Sequence, residues 1–244
     1  MTREQTAIEL ERAQDTAYQA FQRKLIPGID HILGVRMPVL RTLARQIVKG
    51  DWRAWLDDST PDHWYEETML RGIVTATAPM EWEERCMRID TFVPLIDNWA
   101  VCDSVCGSFC LQDRQAWWQF LQPYLASERE FFARFGAVML LHLLEGQDDL
   151  LRTLYALVRV PAPGYAARMG VAWALSECGV RYPKETLCFL REQDKLDAWT
   201  YIKALQKMLE SRRLPDAWRT AVREQKQIKK SEGSKGESPE GYTF

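Results

Sequence analysis

The sequence predicts an all-α fold, an α-solenoid built from antiparallel helix pairs. Apolar residues recur close to the helical period from about residue 3 to 225, and no run alternates as a half-buried strand does. Proline, glycine and serine punctuate this pattern at short intervals, leaving roughly a dozen helices of about 8–20 residues. Helices joined by short turns pack antiparallel against their neighbours, and successive pairs stack into a solenoid. No clean internal repeat is visible, so any repeating unit has diverged in sequence.

The elements follow in order. Thr2 to Gln22 reads as a first helix, broken by Pro27-Gly28. Gly34 to Pro38 leads into a second, with Pro38 near its start, where a missing N–H is tolerated. Ser59-Thr60-Pro61 begins another that reaches Thr77, and Ala78-Pro79 ends it. Helices at about 81–93 and 96–110 come next, then Gln112 to Leu125. Ser127 is placed to cap Glu128 to Leu144. Gly146, Pro161, Pro163-Gly164, Gly179 and Pro183 punctuate the second half, around helices at about 147–158, 165–178, 184–191, 194–210 and 215–227. From Gln225 the composition turns polar and rich in Gly, Ser, Lys and Glu. The folded domain is expected over 1–226 and a polar tail over 227–244, with Ser231 to Phe244 disordered.

At 244 residues, 46% of them hydrophobic and 27% charged, the chain has the composition of a globular protein with a sizeable core. A net charge of -2 gives no bulk attraction to nucleic acid, so a polyanion partner needs a local basic patch. The six cysteines come without an apolar signal segment at Met1 to Gln5, and no apolar run reaches membrane-spanning length. A reducing cytoplasm with free thiols is expected, and no membrane association. Of the ten tryptophans, Trp52, Trp55, Trp64, Trp82, Trp117 and Trp118 read as packing residues.

Few motifs carry chemistry. Cys102, Cys106 and Cys110 fall at every fourth position, but a structural zinc takes four ligands, usually from short loops. His31, His63 and His142 show no ligand spacing, so buried thiols and no metal are expected. No glycine-rich phosphate loop follows a strand, and neither a GxSxG elbow nor an HExxH pair occurs. That argues against a nucleotide-cofactor enzyme, a serine hydrolase and a zinc protease. Glu66-Glu67, after Trp64-Tyr65, is expected to cap or brace a helix.

Trp99 and Asp103 are the most informative pair. Four residues apart on a helix, they share one face, one turn apart. A large aromatic beside a carboxylate can hold a flat, electron-poor group and offset positive charge next to it. The plain alternative is a helix start capped by Asp97 or Asn98, with Trp99 in the core and Asp103 solvated. Basic residues form the second signal. Arg134 interrupts an apolar stretch, Arg168 precedes another, and Lys203 and Lys207 share a face with Arg212 and Arg213 just beyond. An isolated arginine in an apolar helix usually snorkels or pairs with a carboxylate. On consecutive helices of a solenoid, such residues can line one concave face and grip phosphates.

Five segments then fall into a known order: Ile32-Leu33-Gly34-Val35-Arg36-Met37-Pro38, Trp99 to Ser104, Arg134-Phe135-Gly136, Met169 to Leu175, and Lys203 to Arg213. From about residue 16 to 225 the chain resembles DNA alkylation repair proteins of the AlkD type. The resemblance implies HEAT-like helix pairs in a C-shaped solenoid with a concave basic channel for duplex DNA. It implies a DNA glycosylase for cationic N3- and N7-alkylated purines that uses no metal and no cofactor. Matched motif to motif, the catalytic set falls on Asp103, Trp99, Trp173 and Arg134. The DNA-binding set falls on Arg134, Arg168, Lys203, Lys207, Arg212 and Arg213. Asn98 stands where AlkD-type sequences can carry a second tryptophan. A tyrosine of their N-terminal helices aligns without gaps to Leu25, with Tyr18 seven residues earlier.

The resulting expectation is a monomeric enzyme acting on alkylated duplex DNA, cytoplasmic and nucleoid-associated when bound. The alternatives are a non-catalytic binder of damaged or branched DNA and a protein-interaction solenoid, since helical repeats also present concave surfaces to peptides.

Overall fold

The computed structural model describes residues 1–233, and among these every regular element is helical: fourteen α-helices and one 3-10 turn. The chain divides into two compact units, Met1–Phe120 and the part beginning at Leu121, with the boundary inside α8 (Arg114–Leu125).

The first unit contains α1 (Arg3–Arg12), α2 (Thr16–Leu25), α3 (Met37–Lys49), α4 (Trp52–Asp57), α5 (Tyr65–Thr77), α6 (Trp82–Phe92), a 3-10 turn (Val93–Leu95) and α7 (Trp99–Cys106). Every second helix packs on the next, α3 on α5 and α5 on α7, while α4 and α6 pack on α5 from between them. That alternation is the solenoid arrangement, and α5 carries it with Met69, Leu70, Ile73 and Val74 all buried. Gly72 permits the close crossing, since a Cβ there would strike Val105 of α7 and Phe92.

Several boundaries differ from the sequence expectation, among them that of the helix expected from Glu128 under Ser127, which begins at Glu130 after Arg129 with no side-chain cap. The first helix is two, because Asp15 accepts a hydrogen bond from the Tyr18 amide at 2.9 Å and starts a new N-terminus. The helix expected from Ser59 begins at Tyr65 instead. Glu67 takes up the amides of His63 and Trp64, at 2.8 and 2.9 Å, and caps the helix there. Upstream, Asp62 is drawn to Arg3 and Arg71, which fixes the preceding segment as loop. Between these elements α4 forms a short helix capped by Asp51, with Trp52 and Trp55 buried.

The second unit repeats the alternation. It contains α9 (Glu130–Leu143), α10 (Gln147–Leu157), α11 (Gly164–Arg181), α12 (Pro183–Glu192), α13 (Ala198–Glu210) and α14 (Asp216–Gly233). Here α9, α11, α13 and α14 pack in succession, with α10 and α12 against α11. Gly179 of α11 lies so near Met208 of α13 that a Cβ would collide with its side chain. Helix α14 extends past the expected end of the domain. Buried Gln225 anchors it, donating to the Leu187 carbonyl at 3.2 Å and to the Tyr201 hydroxyl at 2.6 Å. Residues 227–233, expected in the tail, are therefore helical, and the rest of that tail lies outside the described residues. Among the described residues no helix is long and apolar enough to cross a membrane.

Candidate functional site

In the first unit the site is built on α7. Asn98 caps the helix, its side-chain oxygen accepting from the Val101 amide at 3.0 Å, so Trp99 occupies the first helical position. Val101, Cys102, Val105 and Cys106 turn inward, and Trp99 and Asp103 share the edge beside that buried face. The Trp99 indole is 40% exposed and Asp103 is half-buried. Trp99 is thus not a core residue, and the plain alternative holds only for the cap.

The indole is fixed rather than loose. Its Nε1–H donates to the carbonyl of Leu25 at 3.2 Å, at the end of α2. Leu25 is therefore beside Trp99, and it presents an aliphatic side chain that is 45% exposed. Phe21, one turn earlier, is 54% exposed and stacks with Tyr18 at 6.0 Å between ring centroids. Tyr18, Phe21 and Leu25 thus form an outward apolar stripe that ends at Trp99. The sequence signal for it was their i, i+3, i+7 spacing.

A carboxylate inside the protein holds the connection that packs against α2. Glu66, on α5 and 0% exposed, accepts from the amides of Leu33, Gly34 and Val35 at 3.0, 2.7 and 3.1 Å. Burial pushes its carboxyl above the ordinary range, against the opposing effect of those amides. Gly34 adopts φ +83°, and a Cβ there would run into the Asp15 carbonyl and the Gln19 backbone of α2. Glu66 is therefore the expected brace, acting on the α2–α3 connection, and Glu67 is the expected cap. Arg36 completes the connection, pairing with Asp15 at 2.9 Å and lying 4.7 Å over the Tyr18 ring.

The other matched residues stand in the second unit. Arg134 on α9 is only 5% exposed, and it donates to the Ala166 carbonyl at 2.6 Å. Glu130, one turn earlier, accepts from the Ala166 amide at 2.5 Å. Two side chains of α9 therefore clamp both backbone groups of one residue in the first turn of α11. The stem of Arg134 also packs on Gly170, where a Cβ would come within 3.0 Å of Cγ. Trp173 is half-buried one turn further along α11.

The remaining cations are already engaged to different degrees. Arg168 pairs with Asp197 at 2.5 Å, and Lys207 pairs with Glu210 at 2.9 Å on its own helix. Arg213 meets Glu177 of α11, Lys203 lies near the Trp199 ring, and Arg212 is exposed. Trp199, which no sequence motif marked, therefore has two cations, Arg168 and Lys203, gathered at its neutral ring. Burial alone would raise the Asp197 carboxyl, but hydrogen bonds from Thr200 and Arg168 outweigh it and hold it below the usual range.

The cysteines do not share one helix as their spacing suggested. Cys102 and Cys106 are buried in α7, which ends at Cys106, and Cys110 lies exposed beyond it. Among the described residues no group of three or more His, Cys, Asp or Glu is placed to hold a metal ion. What the α7 edge offers is an exposed apolar wall next to a carboxylate. That suits a flat cationic group, or positive charge that develops during a reaction.

A family model described as DNA alkylation repair enzyme matches residues 7–208. No curated protein and no solved structure gives a match. The matched span takes in Trp99, Asp103, Arg134, Arg168, Trp173, Lys203 and Lys207, with Arg212 and Arg213 just outside it. Since it covers both solenoid units over most of their length, the chain belongs to the DNA alkylation repair enzyme family.

Proposed function

We propose that the protein is a monofunctional DNA glycosylase that hydrolyses the N-glycosidic bond of cationic N3- and N7-alkylated purines in duplex DNA. The observation that carries this reading is the edge of α7, where the exposed Trp99 indole, held by Leu25, precedes Asp103 by one turn. Family membership supplies the DNA repair context.

The chemistry matches those residue types. Alkylation at a ring nitrogen leaves the purine positively charged, so it departs as a neutral base without strong general-acid help. As the C1′–N bond breaks, its electron pair goes to the base and positive charge spreads over C1′ and O4′ of the deoxyribose. The Asp103 carboxylate stabilises that charge. Water then adds to C1′ and gives up a proton, leaving an abasic site and the free alkylpurine. The Trp99 ring face favours a cationic base over a neutral one at the binding stage. The proposed reaction needs no metal or cofactor, because the substrate arrives already activated.

Arg134 takes a positioning role in this scheme, setting the first turn of α11 and with it Trp173. Phosphate binding falls to Arg168, Lys203, Lys207, Arg212 and Arg213, with Lys207 and Arg213 exchanging a carboxylate for a phosphate on binding while Arg168 keeps Asp197. The protein is proposed to act as a monomer in the cytoplasm, on the nucleoid when bound.

A second reading is a non-catalytic binder of damaged or branched DNA. It is favoured by Asn98, which is buried as a cap where AlkD-type sequences can present another indole. Incubation of the protein with methylated duplex DNA separates the two. Release of free 7-methylguanine or 3-methyladenine above a protein-free control supports the glycosylase. Tight DNA binding with no release of either base supports the binder.

A further inference from the structure

In the second unit two aromatic rings to which the proposed function gives no role gather around the phosphate-binding Arg168 and Lys203. Tyr165, in the first turn of α11, is 57% exposed, and its ring meets that of Trp199 edge-on at 5.7 Å and 65°. Trp199 sits in the first turn of α13. The Arg168 guanidinium carbon lies 4.6 Å from the Trp199 ring centroid, and the Lys203 ammonium lies 5.4 Å from it. Asp197, the cap of α13, holds Arg168 from the side, which fixes the guanidinium plane.

Packing does not account for this arrangement. Helix α11 builds its core from Ala167, Val171, Ala174 and Leu175, all fully buried, and Tyr165 adds little to it. The backbone nevertheless holds Tyr165 outward at some conformational cost. Ala162 takes the strained φ +48°, Gly164 takes φ +73° as glycine freely can, and Glu130 and Arg134 clamp the residue after Tyr165 from α9. An exposed ring, a fixed guanidinium backed by an indole, and an adjacent ammonium match a ligand that has both a flat face and an anionic group. An unpaired nucleotide has both, because bases stack on aromatic rings and guanidinium planes while the phosphate takes a cation.

We propose that Tyr165, Arg168 and Trp199 form a stacking platform for one unpaired nucleotide of the bound DNA, with Lys203 taking its phosphate. The proposal rests on the DNA-binding reading above and adds to it a preference for strand distortion that is independent of alkylation.

The test uses undamaged, fluorescently labelled duplexes of three kinds: fully paired, bearing one bulged thymidine, and bearing the same bulge with an abasic spacer. Stacking predicts that the thymidine bulge binds on the order of 10-fold more tightly than the abasic bulge. Tyr165→Ala should reduce that ratio to below about twofold, and its exposed position should leave the fold intact, which a thermal melt checks directly. Trp199→Leu should do the same, while Lys203→Gln should weaken both bulged duplexes alike. Equal binding of the two bulges by the unsubstituted protein overturns the platform but leaves DNA binding standing. So does a thymidine preference that survives in Tyr165→Ala and Trp199→Leu. Failure to bind any of the three duplexes overturns the platform and the DNA-binding reading together.

Discussion

Glu66→Gln tests the brace on the α2–α3 connection. The native carboxylate receives three amides, two on Oε1 and one on Oε2. Glutamine has a single carbonyl oxygen, so it can keep two of these bonds, and its NH₂ group then faces the third amide donor to donor. A bond to an ionised group contributes about 1.5–3 kcal/mol, and a buried donor left unpaired costs about 1–3 kcal/mol. Relief from burying a charge offsets part of that loss. A net destabilisation of about 3 kcal/mol follows, on the order of a hundredfold in the unfolding equilibrium. Urea unfolding followed by tryptophan fluorescence should show the midpoint falling by about 1–2 M. A midpoint within about 0.2 M of the unsubstituted protein would refute the brace, since no denaturant slope in the ordinary range reconciles it with three bonds.

Three further outcomes follow from the same geometry. Arg134→Met keeps the stem on Gly170 but removes the donor to Ala166, and should cost about 2–4 kcal/mol in stability. An unchanged melting temperature would instead return Arg134 to direct phosphate binding. Acid should destabilise the fold: hydrogen bonding from the Tyr18 amide and then Arg36 holds Asp15 below the usual carboxylate range, and Arg53 does the same for Glu84. Groups with depressed folded values contribute stability above their unfolded pKa and lose it as pH falls, so the melting temperature should drop below about pH 4. Glu66, whose value is raised, acts in the opposite sense, its contribution fading as pH rises. A melting temperature that climbs on acidification below about pH 4 would show that Glu66 outweighs the others. Finally, replacing Lys203, Lys207 and Arg212 together should lower the log–log salt slope of duplex binding by about 0.9 for each phosphate no longer neutralised. An unaltered slope would place phosphate binding elsewhere.

Helical class and most helix centres were legible because apolar periodicity is a local property, and the structure keeps it from α3 to α13. The errors fall where a side chain redirects the backbone. Asp15 splits the first helix by capping inside an otherwise helical pattern, and Glu67 delays α5 by taking two amides upstream of it. Helix α14 outran its expected end because one polar residue, Gln225, is buried by partners on α12 and α13. The Trp99–Asp103 pair was legible because both residues ride on one helix, and Asn98 was among the caps considered. What the pair touches was not legible, since the Leu25 carbonyl lies 74 positions away in sequence. The same distance limit hid the Ala166 partner of Arg134 and the Asp197 partner of Arg168, 32 and 29 positions away. Periodicity marks a charged residue in an apolar helix, but only the packed structure says which backbone group it serves.

The central claim is that Asp103 stabilises positive charge on the sugar, and single-turnover excision from a duplex with one 7-methylguanine tests it most directly. Asp103→Asn keeps size and hydrogen-bonding capacity while removing the charge. The account predicts a rate of free-base release lower by about 10²–10³-fold, with duplex affinity held or slightly raised because a carboxylate repels phosphates. Equal release by Asp103→Asn and the unsubstituted protein would contradict it.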